Sequence, residues 1–104
     1  MERLQYDIPS QTSARKNAPV LVGVTASGNC EVLVEPGADN AHCRIAIHTS
    51  AIGFAPIWQA VLRDFGERHA AGGLAIEIND VGATPAVVSL RLDQALEAWE
   101  EDRA

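Results

Sequence analysis

The sequence predicts an α+β fold: a small, largely antiparallel sheet of about four strands, in the order β-β-β-α-β-α, with two helices packed on one face. Three observations predict it. Apolar runs rich in β-branched residues occupy 20–24, 31–35, 43–47 and 74–78. The apolar period becomes helical from about Pro56 and again after Pro85. Clusters of Gly, Asn, Asp and Pro separate these segments and supply turn chemistry. With 104 residues, 47% of them hydrophobic and 21% charged, the chain reads as one globular domain, 1–104.

Residues 1–17 read as an irregular lead-in, because Pro9 and the polar stretch that follows show no sustained period. Val20, Val22 and Val24 then alternate with Leu21 and Gly23, which predicts a strand buried on both faces. Ala26-Ser27-Gly28-Asn29 is hairpin chemistry, since Gly and Asn tolerate positive φ, and it places Ser27 at or beside the tip. The run Glu31–Glu35 is the return strand. After a second turn at Pro36–Asn40, Cys43, Ile45 and Ile47 alternate with His42, Arg44, Ala46 and His48, as a half-buried strand does.

From about Pro56, Ile57, Trp58, Val61, Leu62 and Phe65 share one helical face, and the helix runs to His69 or Ala71 before Gly72-Gly73 stops it. Leu74, Ile76 and Ile78 alternate in a fourth strand. Asn79–Ala83 is a short loop, Thr84 an N-cap and Pro85 a first helical residue. The last helix carries Val88, Leu92, Ala95, Leu96 and Trp99 on one face.

Charge narrows the function. A net charge of −6 has the wrong sign for a surface whose affinity comes from neutralising phosphates, so nucleic acid is not an expected partner. Asp93, Glu97, Glu100, Glu101 and Asp102 crowd the C-terminal end and favour basic partners. The start lacks the apolar core of a signal peptide, and no apolar run approaches the roughly 20 residues of a membrane span, so no membrane partner and a cytoplasmic location are expected.

Catalytic machinery is hard to assemble. The chain has no GxSxG elbow, no GxxxxGK[ST] phosphate loop, no HExxH and no CxxC. On a strand Cys43 points away from His42 and His48, which themselves stand roughly 20 Å apart, so these three form no metal site. Cys30 and Cys43 read as free core thiols, although adjacent strands could bring them opposite one another. Trp58 and Trp99 have helical core spacing. Ser27 offers an exposed hydroxyl on a tight turn with no general base near it in sequence, which suits a modifying enzyme better than chemistry of its own. Spacing alone equally describes a serine that solvates a hairpin.

The segment Asn79–Glu97, NDVGATPAVVSLRLDQALE, closely resembles the C-terminal part of the malonate decarboxylase acyl carrier, or delta, subunit family. Val24–Leu33, VTASGNCEVL, resembles that family's serine-glycine turn, and His48-Thr49-Ser50 with Trp58-Gln59 resembles its intervening segment. Asn29 stands where the family commonly has Asp, and Cys30 where it has Leu.

The resemblance implies a non-catalytic carrier of acetyl and malonyl thioesters in malonate decarboxylation to acetate and CO2. Ser27, with Gly28 beside it, would bear a covalent 2′-(5″-phosphoribosyl)-3′-dephospho-coenzyme A by a phosphodiester. The implied partners are the acyl-transferase (alpha) and decarboxylase (beta/gamma) subunits, a prosthetic-group transferase and a malonyl transferase. Asn29, Asp80, Gly82 and Thr84 become candidate contacts for arm or partner, through amides at the last helix start. Asp93, Glu97, Glu100 and Glu101 become a candidate docking face. A citrate-lyase-like carrier with the same arm, or an unmodified interaction subunit, are the alternative readings.

Overall fold

A computed structural model describes residues 1–13 and 18–101. Its elements are β1 (Glu2–Pro9), β2 (Val20–Gly23), β3 (Asn29–Pro36), β4 (His42–Thr49), α1 (Ala55–Arg68), β5 (Leu74–Val81) and α2 (Pro85–Glu101). The α+β class holds, but the sheet has five strands, in the order β1-β4-β5-β3-β2. Three pairs are antiparallel and β4–β5 is parallel. Parallel neighbours need a crossover, and α1 supplies it.

The additional strand lies in the segment read as an irregular lead-in. Leu4, Tyr6 and Ile8 alternate with Arg3, Gln5 and Asp7, and β1 pairs with β4 from Glu2↔Thr49 to Pro9↔His42. Charged and polar residues on its outer face hide this period in the sequence, as they do on many edge strands. Beyond Pro9 the chain clasps the end of α1: the Ser10 hydroxyl donates to the His69 carbonyl (2.6 Å) and accepts the Ala71 N–H (3.0 Å). Gln11 and Ser13 bracket Gly72 with two backbone bonds of 2.8 Å. Residues 14–17 of the expected lead-in lie outside the described residues.

A second correction concerns β2. It is the other edge of the sheet, so only Val20 and Val22 turn toward the core while Leu21 is 56% exposed. Edge position, which residue type does not encode, overrides the doubly buried reading. Nor are the cysteine strands adjacent: β5 separates β3 from β4. Cys30 is level with Asp80, whereas Cys43 directly precedes Arg44, which is level with Ala75, so the two thiols lie at opposite ends of β5, on the order of 20 Å apart along it. Both are buried free thiols.

The remaining periods translate with one change of bounds: β5 runs on through Asn79, Asp80 and Val81, which the sequence assigns to a loop, because β3 and β4 offer partners there. Residues 43, 45, 47 and 49 of β4 and 74, 76, 78 and 80 of β5 are buried, and both helices cover that face. Helix α1 lies over the β1 side and presents Trp58, Leu62, Phe65 and Gly66 inward. Helix α2 lies over β3 and β2, touches α1, and buries Val88, Leu92, Ala95, Leu96 and Trp99. The absence of a side chain on Gly66 brings β1 close: a Cβ there would meet the Ile8 methyl at 2.5 Å. No helix among the described residues is long and apolar enough to cross a membrane.

Leu92 joins α2 to the sheet with no exposed surface. Leu92→Ala leaves a cavity in this single core and lowers the unfolding free energy by about 2–5 kcal/mol, read from the urea midpoint.

Candidate functional site

The C-terminal end of β5 is where the two sequence blocks meet. Asp80 continues the inward row of Leu74, Ile76 and Ile78, so its carboxylate is carried under the helices and is 3% exposed. A buried carboxylate is tolerable only with donors around it, and the chain provides them. Its Oδ2 accepts the Thr49 hydroxyl (2.8 Å) and, at longer range, the Gly82 N–H (3.4 Å); its Oδ1 accepts the Ala83 N–H (2.9 Å). Thr49 accepts the Ala51 N–H in turn (3.0 Å), and the Asp80 carbonyl accepts the Ser50 N–H (3.1 Å). One side chain thereby ties the loop after β4 to the loop after β5.

The serine turn rests on that second loop. Asn29 N–H donates to the Ala26 carbonyl (2.9 Å), closing a four-residue turn with Ser27 and Gly28 in its centre. Gly28 has φ +76°, which a type II turn requires at its third position and which a side chain would resist. Its N–H donates to the Val81 carbonyl (2.7 Å), and Asn29 bridges to Gly82. Ser27 is exposed, and its hydroxyl has no hydrogen-bond partner among the described residues.

Asn29 adds a side-chain anchor. Its Oδ1 accepts the Cys30 N–H (2.8 Å) and the Nε–H of Arg91 on α2 (3.0 Å), while Arg91 Nη1 donates to Gln94 (3.0 Å). The hairpin can close over Arg91 because Gly23, at φ +83°, has no side chain. A Cβ there would collide with the Cys30 carbonyl oxygen and approach Arg91 Cδ at 3.2 Å.

The candidate residues therefore divide. Ser27, Gly28, Asn29, Asp80 and Gly82 are gathered within one turn-and-loop assembly. Thr84 caps α2 as expected, its hydroxyl accepting the Val87 N–H (3.2 Å) and its carbonyl the Val88 N–H (3.0 Å). At this helix start the Gly82, Ala83 and Val87 amides are engaged within the chain, the first two by Asp80 and the third by Thr84.

On the acidic face Asp93 binds Arg68 (3.0 Å) and His69 (2.9 Å), whereas Glu97 and Glu100 are exposed. Asp102 lies outside the described residues. The far side of the Asp80–Gly82 loop opens on an apolar groove of about 220 Å³ between the helices, lined by Phe54, Ile57, Trp58, Val61 and Val88.

Two participants were missed in the sequence reading. Thr49 had a signal, being a polar residue in phase with Cys43, Ile45 and Ile47. Arg91 had none, because its role depends on the hairpin folding back over α2. The histidines are dispersed, His42 bonding to Asp39 (3.0 Å) and His69 to Asp93. No group of three or more His, Cys, Asp or Glu able to hold a metal occurs among the described residues. Burial pushes the Cys30 thiol up to about 11, Asp80 adding to the effect and Arg91 opposing it, and burial pushes Cys43 up to about 12.

Asp80→Asn places amide protons against a cluster of donors and costs about 1–3 kcal/mol in urea unfolding. The thiols predict a pH dependence. Unfolded, they ionise near 9.0, whereas folded they do so only at about 11 and about 12. The protonated form thus favours folding, a contribution complete below pH 9 and lost as the pH rises through the folded values. The urea midpoint falls above pH 9, and falls less steeply in the Cys30→Ala/Cys43→Ala variant.

Residues 17–99 match the family described as malonate decarboxylase delta subunit (MdcD). The chain is 59% identical over 95 residues to a malonate decarboxylase acyl carrier protein of Burkholderia cepacia, covering 91% of this chain and 87% of that protein. It is 47% identical over 100 residues to one from Acinetobacter calcoaceticus, covering 96% and 98%. A chain in the crystal structure of a Pseudomonas malonate decarboxylase hetero-tetramer in complex with malonate superposes with a TM-score of 0.82 at 40% identity, covering 94% of this chain and 98% of that one. Sequence blocks and fold agree, and the chain belongs to the malonate decarboxylase delta subunit family.

Proposed function

We propose that this chain is the acyl carrier subunit of a malonate decarboxylase and that Ser27 bears the 2′-(5″-phosphoribosyl)-3′-dephospho-coenzyme A arm. The observation that carries the reading is the exposed, unengaged Ser27 hydroxyl on a turn anchored to a second loop and to a helix. A hydroxyl committed to a neighbour would have to break that bond before esterification; Ser27 has none to break among the described residues.

The residues present fit such a group. A Cβ added to Gly28 would meet nothing within 4 Å, so the space beside the attachment point is open. The Gly28–Val81 bond and the Asn29–Arg91 bond hold the root of the arm while the hydroxyl faces solvent. When bound, the arm supplies the thiol that carries the acyl group. The chain supplies attachment and a compact docking body, and a tether raises the effective concentration of its cargo at each site it visits. This division leaves catalysis to the partners: the acyl-transferase (alpha) and decarboxylase (beta/gamma) subunits and a malonyl transferase, with a prosthetic-group transferase attaching the arm. The hetero-tetrameric setting of the Pseudomonas relative supports assembly with other subunits.

The test is intact mass after co-expression with the prosthetic-group transferase. The expected result is a mass gain equal to the arm, mapped to the peptide containing Ser27 and absent from a Ser27→Ala variant with an unchanged circular dichroism spectrum. An unmodified chain, under conditions that fully load a Burkholderia or Acinetobacter relative, favours an unmodified interaction subunit instead.

A further inference from the structure

Arg91 differs from the arginines that make ion pairs among the described residues. Arg44 pairs with Asp7, and Arg68 with Asp64 and Asp93. Arg91, half-buried on α2, has no carboxylate at ion-pairing distance among the described residues. Both of its side-chain bonds go to neutral amides, Asn29 through Nε and Gln94 through Nη1. In a chain of net charge −6 this cation is held in place without being neutralised.

Position gives the arrangement its meaning. Asn29 stands two residues from Ser27, a separation of at most roughly 7 Å of extended chain, and the intervening turn shortens it. The Arg91 stem passes close to Gly23, at the base of the serine hairpin, where a Cβ would stand 3.2 Å from Arg91 Cδ. A guanidinium has five N–H donors, and two are used here. Those on Nη2 have no partner among the described residues. A planar fork of donors matches the oxygens of a phosphate ester, and a carboxylate partner would both quench the charge and repel such an anion.

We infer that Arg91, aimed by Asn29, binds the phosphodiester formed on Ser27 and so orients the first bonds of the arm. The inference rests on Ser27 being the attachment residue. It separates two roles within the turn: Ser27 is esterified, and Arg91 receives the negative charge that esterification introduces. Gln94 and Asn29 are positioning residues, since they hold the guanidinium and do not carry its charge.

The experiment compares the apo and loaded forms of the full chain, with loading verified by intact mass. In protein labelled with 15N-arginine, the side-chain N–H resonances of Arg91, assigned by their loss in Arg91→Gln, move on loading, while those of Arg44 and Arg68 do not. Loading raises the Tm of the wild type at low salt, and this rise is lost in Arg91→Gln and retained in part in Arg91→Lys. A purely structural clamp gives another pattern: Arg91→Gln lowers the Tm of both forms equally, and the wild-type resonances stay in place on loading. That pattern overturns the inference while leaving the carrier reading intact. A wild-type chain that gains no mass where a relative is loaded overturns both. The resonance measurement on the wild type decides the question even if Arg91→Gln folds poorly.

Discussion

The buried carboxylate of Asp80 is the interaction on which the arrangement of this end of the molecule depends. It sits where β4 and β5 finish side by side, and each finishing strand must hand its chain to a loop whose backbone donors need partners. Asp80 accepts the Thr49 hydroxyl and the amides of Gly82 and Ala83, and Thr49 in turn accepts the amide of Ala51. Loops alone would leave these donors to water and to alternative conformations. A single acceptor common to them sets the entry to α2, and with it the height of the Val81 carbonyl on which the serine turn is hung.

From that point the order spreads outward in steps. Val81 holds Gly28, the turn holds Asn29, and Asn29 holds Arg91, which leads back to α2. Two hydrogen bonds and the covalent chain between them thus close a circuit beside the exposed serine. Glycine is needed at Gly23 and Gly28 for different reasons: Gly28 because the turn demands a positive φ, and Gly23 because the Cys30 carbonyl occupies the space a side chain would take. Rigidity is concentrated at the root of the proposed arm and exposure at its attachment point, an arrangement suited to a carrier whose cargo must travel while its body docks.

The other end of the sheet serves stability. Strand β1 and the segment after it close one edge and satisfy the end of α1 through Ser10, so the carbonyls of that helix terminus are not left to solvent alone. The acidic face of α2 is divided by the same economy of contacts. Asp93 is drawn into Arg68 and His69, and the exposed negative field is carried by residues nearer the C-terminus.

Much of this protein was determined by local sequence alone. The alternations at Cys43–Ile47 and Leu74–Ile78, the helical face from Val88 to Trp99, the Thr84 cap and the Ser27 turn are written in residue types at fixed spacing. Their physical causes act within a few residues. The two blocks that resemble the delta subunit family were legible for the same reason. What the sequence did not disclose was relative placement. Leu4, Tyr6 and Ile8 have the period of a strand, yet polar neighbours mask it until β4 offers an edge to pair with. Leu21 is as apolar as any core residue and is exposed because β2 lies at the margin. Arg91 reads as a surface residue of an amphipathic helix, and only the fold brings it to Asn29, 62 positions earlier in the chain. Strand order and hairpin docking depend on contacts between distant segments, whose energies no local pattern contains, and these contacts decided that the serine turn, the loop after Asp80 and the arginine lie at the same end of the sheet.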